Sequence, residues 1–131
     1  MAQSTRKPTI LLIENDPVML PLLRDHFAEH DYRLLVCTDG LAALEILKQR
    51  QDQIDLIVVD QFARSMEEVI LISRGMLEQP QISSHTPIVV IADQYECQLE
   101  GKNVRIGEHQ YVSYIKEIHQ LDLLIAKLLP A

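Results

Sequence analysis

Short apolar runs alternate along the chain with longer stretches in which apolar residues recur every three or four positions. The run at residues 54–60 is typical, since it is almost wholly apolar and ends abruptly at Asp60. Runs of this kind predict strands that are buried on both faces, as in a parallel sheet covered by helices. We predict five such strands, at residues 9–13, 32–37, 54–60, 87–92 and 111–115.

Between most of these strands lies a segment in which apolar residues recur at helical spacing, and each such segment predicts a helix. The first helix is expected to start at Pro17 with Asp16 as its N-cap, because proline is tolerated at a first helical position. The second is expected to turn Leu41, Leu44 and Leu47 toward the core. The inward residues predicted for the third and last helices are Met66, Val69, Ile70, Ser73 and Leu77, and then Ile118, Leu121, Leu124, Ile125 and Leu128.

Five βα units with short connections predict the overall architecture. Helical crossovers between parallel strands favour a right-handed, doubly wound sheet, so we expect a single-domain, flavodoxin-like α/β fold of the (βα)5 type with five parallel strands. The fourth unit is the weakest, because residues 93–110 lose the helical pattern and only residues 95–99 are expected to form a short helix.

Composition narrows the class of protein. The 131 residues carry a net charge of −7, which argues against direct nucleic-acid binding by this domain. No apolar run approaches the roughly 18 residues that span a bilayer. Residues 1–8 are polar and lack the apolar core of a signal peptide, so we expect a disordered lead-in before a domain at residues 9–131, in the cytoplasm. Cys37 and Cys97 are then expected to be reduced, buried thiols.

Several kinds of active site lack their motifs. No glycine-rich phosphate loop follows a strand, and no G-x-S-x-G sequence offers an acyl-transfer nucleophile. His26 and His30 share a helix face, but the sequence shows no third metal ligand beside them. What remains is a set of polar residues at strand ends: Glu14, Asn15, Asp60 and Lys116. Because parallel strands end at one edge of the sheet, we expect Glu14 and Asp60 to meet there and to suit Mg²⁺.

The order and spacing of these residues resemble the receiver (CheY-like) domains of two-component response regulators over about residues 9–129. The segments that carry the resemblance are Ile10-Leu11-Leu12-Ile13-Glu14-Asn15-Asp16-Pro17, Asp39-Gly40-Leu41-Ala42-Ala43-Leu44, Asp55-Leu56-Ile57-Val58-Val59-Asp60, Pro87-Ile88-Val89-Val90-Ile91 and Lys116.

The resemblance implies a phosphorelay mechanism. Asp60 would accept a phosphoryl group from a phosphohistidine on a sensor histidine kinase. Glu14, Asn15, Asp60 and the backbone carbonyl of Phe62 would hold Mg²⁺. The position of a phosphate-binding Ser or Thr is Ala92, and Lys116 would contact the phosphoryl oxygens. Beyond weak transfer and hydrolysis at Asp60, the resemblance implies no enzyme.

The sequence departs from the family pattern at several of these positions. Ala92 has no hydroxyl group, and Asn15 removes one charge from the usual acidic pair. Glu117 stands where a proline usually follows the lysine, so a trans peptide bond is expected after Lys116. The aromatic switch position is Ser113, with Tyr111 and Tyr114 nearby.

These departures predict an atypical receiver, or pseudo-receiver, with a degenerate phosphorylation site. It would act mainly as a protein-interaction module through the surface of the fourth helix, fifth strand and fifth helix, which could also form a homodimer. Three alternatives remain open: a phosphorylatable receiver with Mg²⁺ at Asp60, a DNA-bound regulator whose output domain lies elsewhere, and an unrelated flavodoxin-like ligand binder.

Overall fold

The computed structural model describes residues 7–49, 54–79, 82 and 85–129. Its strands are β1 (Thr9–Ile13), β2 (Arg33–Cys37), β3 (Leu56–Asp60), β4 (Ile88–Ile91), β5 (Asn103–Arg105) and β6 (Gln110–Ser113). They form one sheet in the order β2-β1-β3-β4-β6-β5. The neighbours from β2 to β6 are parallel, whereas β5 is antiparallel to β6.

Four helices cover the two faces of this sheet: α1 (Met19–Glu29), α2 (Gly40–Gln49), α3 (Met66–Leu77) and α4 (Ile118–Leu128). Successive residues of each central strand point to opposite faces, so Ile10 and Leu12 pack with α1 and α4. Leu11 and Ile13 pack instead with α2 and α3. Both faces are therefore buried, which is why the strands are apolar throughout.

The predicted flavodoxin-like α/β fold is confirmed, and all five predicted parallel strands lie at the expected positions. The predicted lead-in at residues 1–8 falls mostly outside the described residues. In the described part of the chain, no helix combines the length and apolar character needed to cross a membrane.

The fourth βα unit differs from the prediction, because residues 93–109 contain no α-helix. A single 3₁₀ turn at Cys97–Leu99 is followed by β5, which adds a sixth strand at the edge of the sheet. The loss of periodicity anticipated the missing helix, but three residues of strand carry too little pattern to be predicted. The surface predicted to contact partners was made of the fourth helix, the fifth strand and the fifth helix. In the structure, the elements at that position are the 3₁₀ turn, β5, β6 and α4.

Several local predictions about helices were wrong, including that for Ile118, which is 39% exposed instead of facing inward. α1 begins at Met19 with Val18 as its N-cap, two residues later than the predicted cap at Asp16. Asp16 still makes a cap-like contact, because its Oδ1 accepts a hydrogen bond of 2.9 Å from the Val18 amide. Leu41 does not face the core, since 78% of it is exposed. The buried residues of α2 are Ala43 and Leu47. The inward face of the helix is therefore rotated away from Leu41, which the spacing of the leucines had placed on it.

Candidate functional site

A cavity of about 330 Å³ opens at the carboxyl end of the sheet. Ligands of open α/β sheets bind at this end, in the crevice beyond the strands. Three of the predicted site residues line the cavity together: Asp60 at the end of β3, Ala92 after β4, and Lys116 after β6. The other residues that line it are Asp16, Met19, Leu23, Ile91, Asp93, Ile115, Glu117 and Ile118.

Glu14 lies beside Asp60, as predicted from the neighbouring strands. The register pairs Ile13 of β1 with Val59 of β3, so the next residue on each strand extends the pair. Glu14 is fully buried, and 7% of Asp60 is exposed. Two buried carboxyl groups therefore lie next to each other at the ends of β1 and β3, and only Asp60 of the pair reaches the cavity.

The Glu14 carboxyl group retains its proton at neutral pH. Its pKa is raised to about 8 by burial first, and then by a hydrogen bond to Asp60 and the charge of Asp60. Oε2 accepts a hydrogen bond of 3.1 Å from the Asp16 amide, whereas Oε1 is buried and receives none. A proton on the Glu14 carboxyl group would give this buried oxygen a hydrogen-bond partner, because the carboxylic acid can donate to Asp60.

Asp60 has an unusual environment of its own. Burial raises the pKa of Asp60, although the hydrogen bonds from Glu14 and from the Phe62 amide oppose the shift. The Phe62 amide lies 3.4 Å from Oδ1 of Asp60. The negative charges of Asp93 and Asp16 add to the rise in pKa. The cavity is thus short of positive charge at its acidic end.

Sequence reasoning missed two acids and an amide at this site. Asp93 and Asp16 line the cavity beside Asp60. Gln61 joins the loops after β3 and β4, because its Oε1 accepts a hydrogen bond of 2.9 Å from the Asp93 amide. The Ala63 amide faces Oδ2 of Asp93 at 3.5 Å, in a turn where Ala63 has a φ of 62°. Only the position of Asp93 just after a strand could have signalled it.

The donor atoms at this end of the cavity fit a hard divalent cation. Glu14 Oε1 is a buried oxygen without a hydrogen-bond donor, and Asp16, Asp60 and Asp93 line the neighbouring cavity. Among the described residues, no three of these carboxylates bring oxygen atoms within 4.8 Å of one another, so a bound ion would have to draw them together. Mg²⁺ takes oxygen ligands and usually one or two carboxylates. These residues would hold it, and a bound ion would supply charge stabilisation to a phosphoryl group at Asp60. Asn15 is exposed and is not among the residues that line the cavity, whereas Asp16 of the same turn is. The role of Asn15 as a metal ligand stays a prediction.

Ala92 and Ser113 occupy the ends of two adjacent strands. Ala92 is 7% exposed and its amide donates to the Ser113 carbonyl at 3.0 Å. The Ser113 side chain is fully buried, and its hydroxyl donates to Asn103 Oδ1 on β5 at 2.7 Å. Gln120 of α4 donates to the same Asn103 oxygen at 2.9 Å. The only hydroxyl group of this pair therefore points toward β5 and is already paired.

Lys116 is exposed at the rim of the cavity. Its amide donates to Gln120 Oε1 at 3.1 Å, and the peptide bond to Glu117 is trans as predicted. Within the described ranges its ammonium group forms no ion pair. Tyr111 packs in the sheet core on the side of α1 and α4. Tyr114 instead meets Tyr95 edge to face, with ring centroids 5.3 Å apart.

Comparison with known proteins places this architecture in context. No family model matches the chain. Its backbone resembles that of the chemotaxis response regulator CheY4 of Vibrio cholerae, with a TM-score of 0.70 and 14% identity over 95% of this chain and 100% of that one. It also resembles the response regulator TrrA of Thermotoga maritima, solved in complex with Mg²⁺-BeF, with a TM-score of 0.66 and 17% identity over 93% and 99% of the two chains. The fold is therefore the flavodoxin-like fold of CheY-type receiver domains.

The sequence is also similar to that of a curated response regulator. The two-component response regulator ORR24 of Oryza sativa is 23% identical over 112 residues, which is 86% of this chain and 17% of that protein. The chain spans only 17% to 18% of the length of the curated relatives that it matches. Together these similarities show that the chain shares its fold with the receiver domains of response regulators.

Proposed function

We propose that this chain is an atypical receiver domain that works mainly as a protein-interaction module in two-component signalling. The observation that carries the proposal is the state of the two strand ends beside Asp60. Ala92 offers no hydroxyl group to a phosphoryl oxygen, and the Ser113 hydroxyl is buried and hydrogen bonded to Asn103. A phosphoryl group at Asp60 would have no side chain at these two positions to displace.

The partner surface of this proposal lies where β5 meets α4. A cleft of about 710 Å³ opens there, between residues 101–103 and residues 116–123. Leu123 lines this cleft and is 58% exposed. Lys116 lies between the cleft and the cavity at Asp60 and lines both. The surface combines the exposed apolar side chain of Leu123 with polar and charged neighbours such as Lys116 and Glu117. Its partner would be a sensor kinase, another signalling protein or a second copy of the chain.

Amide NMR with beryllofluoride and Mg²⁺ tests the proposal, since beryllofluoride mimics a phosphoryl group on an aspartate. We expect the amides of Ala92, Ser113 and Lys116 to keep their chemical shifts. A saturable rearrangement of these amides in the wild type, lost in Asp60→Asn, would overturn the proposal. Ala92→Ser is the matched variant: a response in this variant alone would identify the missing hydroxyl group as the cause.

A second candidate, a phosphorylatable receiver, is favoured by the convergence of Asp60, Ala92 and Lys116 on one cavity. Intact mass after incubation with acetyl phosphate and Mg²⁺ distinguishes it. A gain of about 80 Da that is absent in Asp60→Asn would establish an acceptor carboxylate. An unchanged mass, together with no detectable Mg²⁺ binding, would leave the interaction module alone.

A further inference from the structure

Two histidines of α1 and an acid of α4 meet on the surface opposite α2 and α3. His26 and His30 are four residues apart, so they lie one helical turn apart on the same face of α1. Asp122 reaches them from α4, which packs against α1 through Leu23, Phe27 and Leu121. One ligand atom from each of His26, His30 and Asp122 lies within 4.8 Å of the others. In the described part of the chain, no other three His, Cys, Asp or Glu residues meet this closely.

A single carboxylate serves both imidazole rings. Oδ1 of Asp122 lies 2.5 Å from Nε2 of His26, and Oδ2 lies 3.8 Å from Nε2 of His30. The two ring centroids are 4.7 Å apart. Both Nε2 atoms are therefore turned toward one point between the helices, which is the arrangement that a shared ion requires.

We propose that His26, His30 and Asp122 form a binding site for a divalent transition-metal ion, and that Zn²⁺ is the ion it fits best. Two imidazole nitrogens and one carboxylate are a common Zn²⁺ ligand set, with a water molecule as fourth ligand. Mg²⁺ prefers an all-oxygen set, so it belongs at the acidic cavity instead. The proposed Zn²⁺ site shares no residue with the cavity at Asp60, and the proposal does not rest on the proposed receiver function.

The surroundings of the three ligands suit an open metal site. His26 and Asp122 are about one-fifth exposed, and His30 is 41% exposed. Bonds of about 2.0 to 2.1 Å to a tetrahedral ion would place ligand atoms roughly 3.4 Å apart. The exposed His30 ring therefore has to move inward, and His26 Nε2 and Asp122 Oδ1 have to move apart from their present 2.5 Å to admit the ion. Tyr32 stacks on His30 with an angle of 23° between the rings, which limits the other rotations of that ring. A bound ion would tie the first helix to the last.

Zinc affinity of the protein without a histidine tag, measured by competition with a chromogenic chelator, tests this proposal. We expect one Zn²⁺ per chain, and a loss of at least about tenfold in affinity for His30→Gln and for Asp122→Asn, since each removes a ligand. His30 is the safer change because its side chain is exposed. Co²⁺ provides an independent readout, since the wild type should show the visible absorption of a tetrahedral ion and His30→Gln should lose it.

Three further variants keep the test falsifiable. His119→Gln removes another exposed imidazole of α4 and should leave zinc affinity unchanged. His85 and His109 form a second imidazole pair, with ring nitrogens 3.2 Å apart, and their double change to Gln should also have no effect. Asp60→Asn separates this site from the acidic cavity. Unchanged affinity in His30→Gln, or loss of zinc in either the double variant or Asp60→Asn, would overturn the proposal.

Discussion

Glu14 and Asp60 lie side by side at the ends of β1 and β3, where both are buried and the carboxylic acid of Glu14 can donate a hydrogen bond to Asp60. The proton that they share belongs to Glu14, whose pKa lies above neutrality. Two buried carboxylates in contact would repel each other, and no cation is paired with either one within the described residues. The pair is therefore held together by this proton whenever a metal ion is absent.

The stability of the metal-free protein should fall as the pH rises. The pKa of Glu14 is raised from 4.5 in the unfolded chain to about 8 in the folded one, so the folded state holds the extra proton between these values. Its stabilising effect is complete below pH 4.5 and is lost as the pH passes through 8. The slope contributed by one group is at most ~1.4 kcal/mol per pH unit. Urea unfolding without divalent ions across this range measures it.

Glu14→Gln isolates this contribution, because an amide cannot titrate but can still donate to Asp60. We expect the pH dependence of this variant to be flatter than that of the wild type between 4.5 and 8. Parallel stability curves for the two proteins would mean that Glu14 carries an ordinary pKa. Saturating Mg²⁺ should also flatten the wild-type curve, since the ion replaces the proton as the neutralising charge.

Gly40 is needed where α2 approaches α3. A Cβ at this position would lie 2.6 Å from Cγ2 of Ile72, and a β-branched side chain has little freedom to move away. We expect Gly40→Ala to destabilise the protein by about 1–3 kcal/mol in urea unfolding. Gly75→Ala is the matched control, because nothing lies within 4 Å of its Cβ and alanine favours the helix by about 0.5–1 kcal/mol.

The clash at Gly40 also predicts a coupling between two substitutions. Ile72→Ala removes the Cγ2 atom, so Gly40→Ala should cost much less in that background than in the wild type. A double-mutant cycle measures the difference. Equal costs in the two backgrounds would assign the effect of Gly40→Ala to backbone conformation instead.

Gln120 holds β5, β6 and α4 together through its side-chain amide. Nε2 donates to Asn103 Oδ1 at 2.9 Å and to the Lys102 carbonyl at 3.2 Å. Gln120→Glu would set carboxylate oxygens against these acceptors, so we expect a loss of about 1–3 kcal/mol and faster hydrogen exchange in β5. Gln94→Glu adds the same charge at an exposed position and serves as the control. Equal exchange rates in the two variants would contradict this role of Gln120.

The two thiol groups should differ sharply in reactivity. Cys97 is exposed, so the prediction that both thiols are buried was wrong for this residue. Cys37 is buried as predicted, and its pKa is raised to about 12 by burial and by the charge of Asp39. We expect a thiol reagent to modify one cysteine of the native protein rapidly and the second only after denaturation. Cys97→Ser should remove the rapid phase. Rapid modification of both thiols would show that the β2 end of the sheet opens readily.

The strands and the main contact of the site could be predicted because burial on both faces makes each strand apolar along its whole length. The end of such a run then marks the sheet edge, which is how Glu14 and Asp60 were placed together. Helix phase was less certain, since Leu41 lies at an apolar spacing in the sequence but faces solvent. Leucines on both sides of a short helix leave its inward face ambiguous.

The loop residues of the site could not be predicted in the same way. Asp93 and Gln61 meet only because the turn after β3 folds back, with Ala63 in a left-handed conformation. Sequence spacing contains no measure of such a loop geometry. The third ligand beside His26 and His30 was invisible for a related reason, since Asp122 is 96 positions away from His26 and approaches it only through helix packing.

The short strand β5 also affects how the folded chain meets its neighbours in solution. An open strand edge is a template for intermolecular pairing and aggregation, and proteins counter this with short, charged edge strands. β5 has three residues, of which Asn103 and Arg105 are exposed. The Arg105 guanidinium group also closes the turn to β6, donating to the Gly107 and Glu108 carbonyls at 3.0 and 2.8 Å. This edge of the sheet is thereby protected from amyloid-like growth. A protein that binds at this edge would contact its side chains rather than extend the sheet by backbone hydrogen bonds.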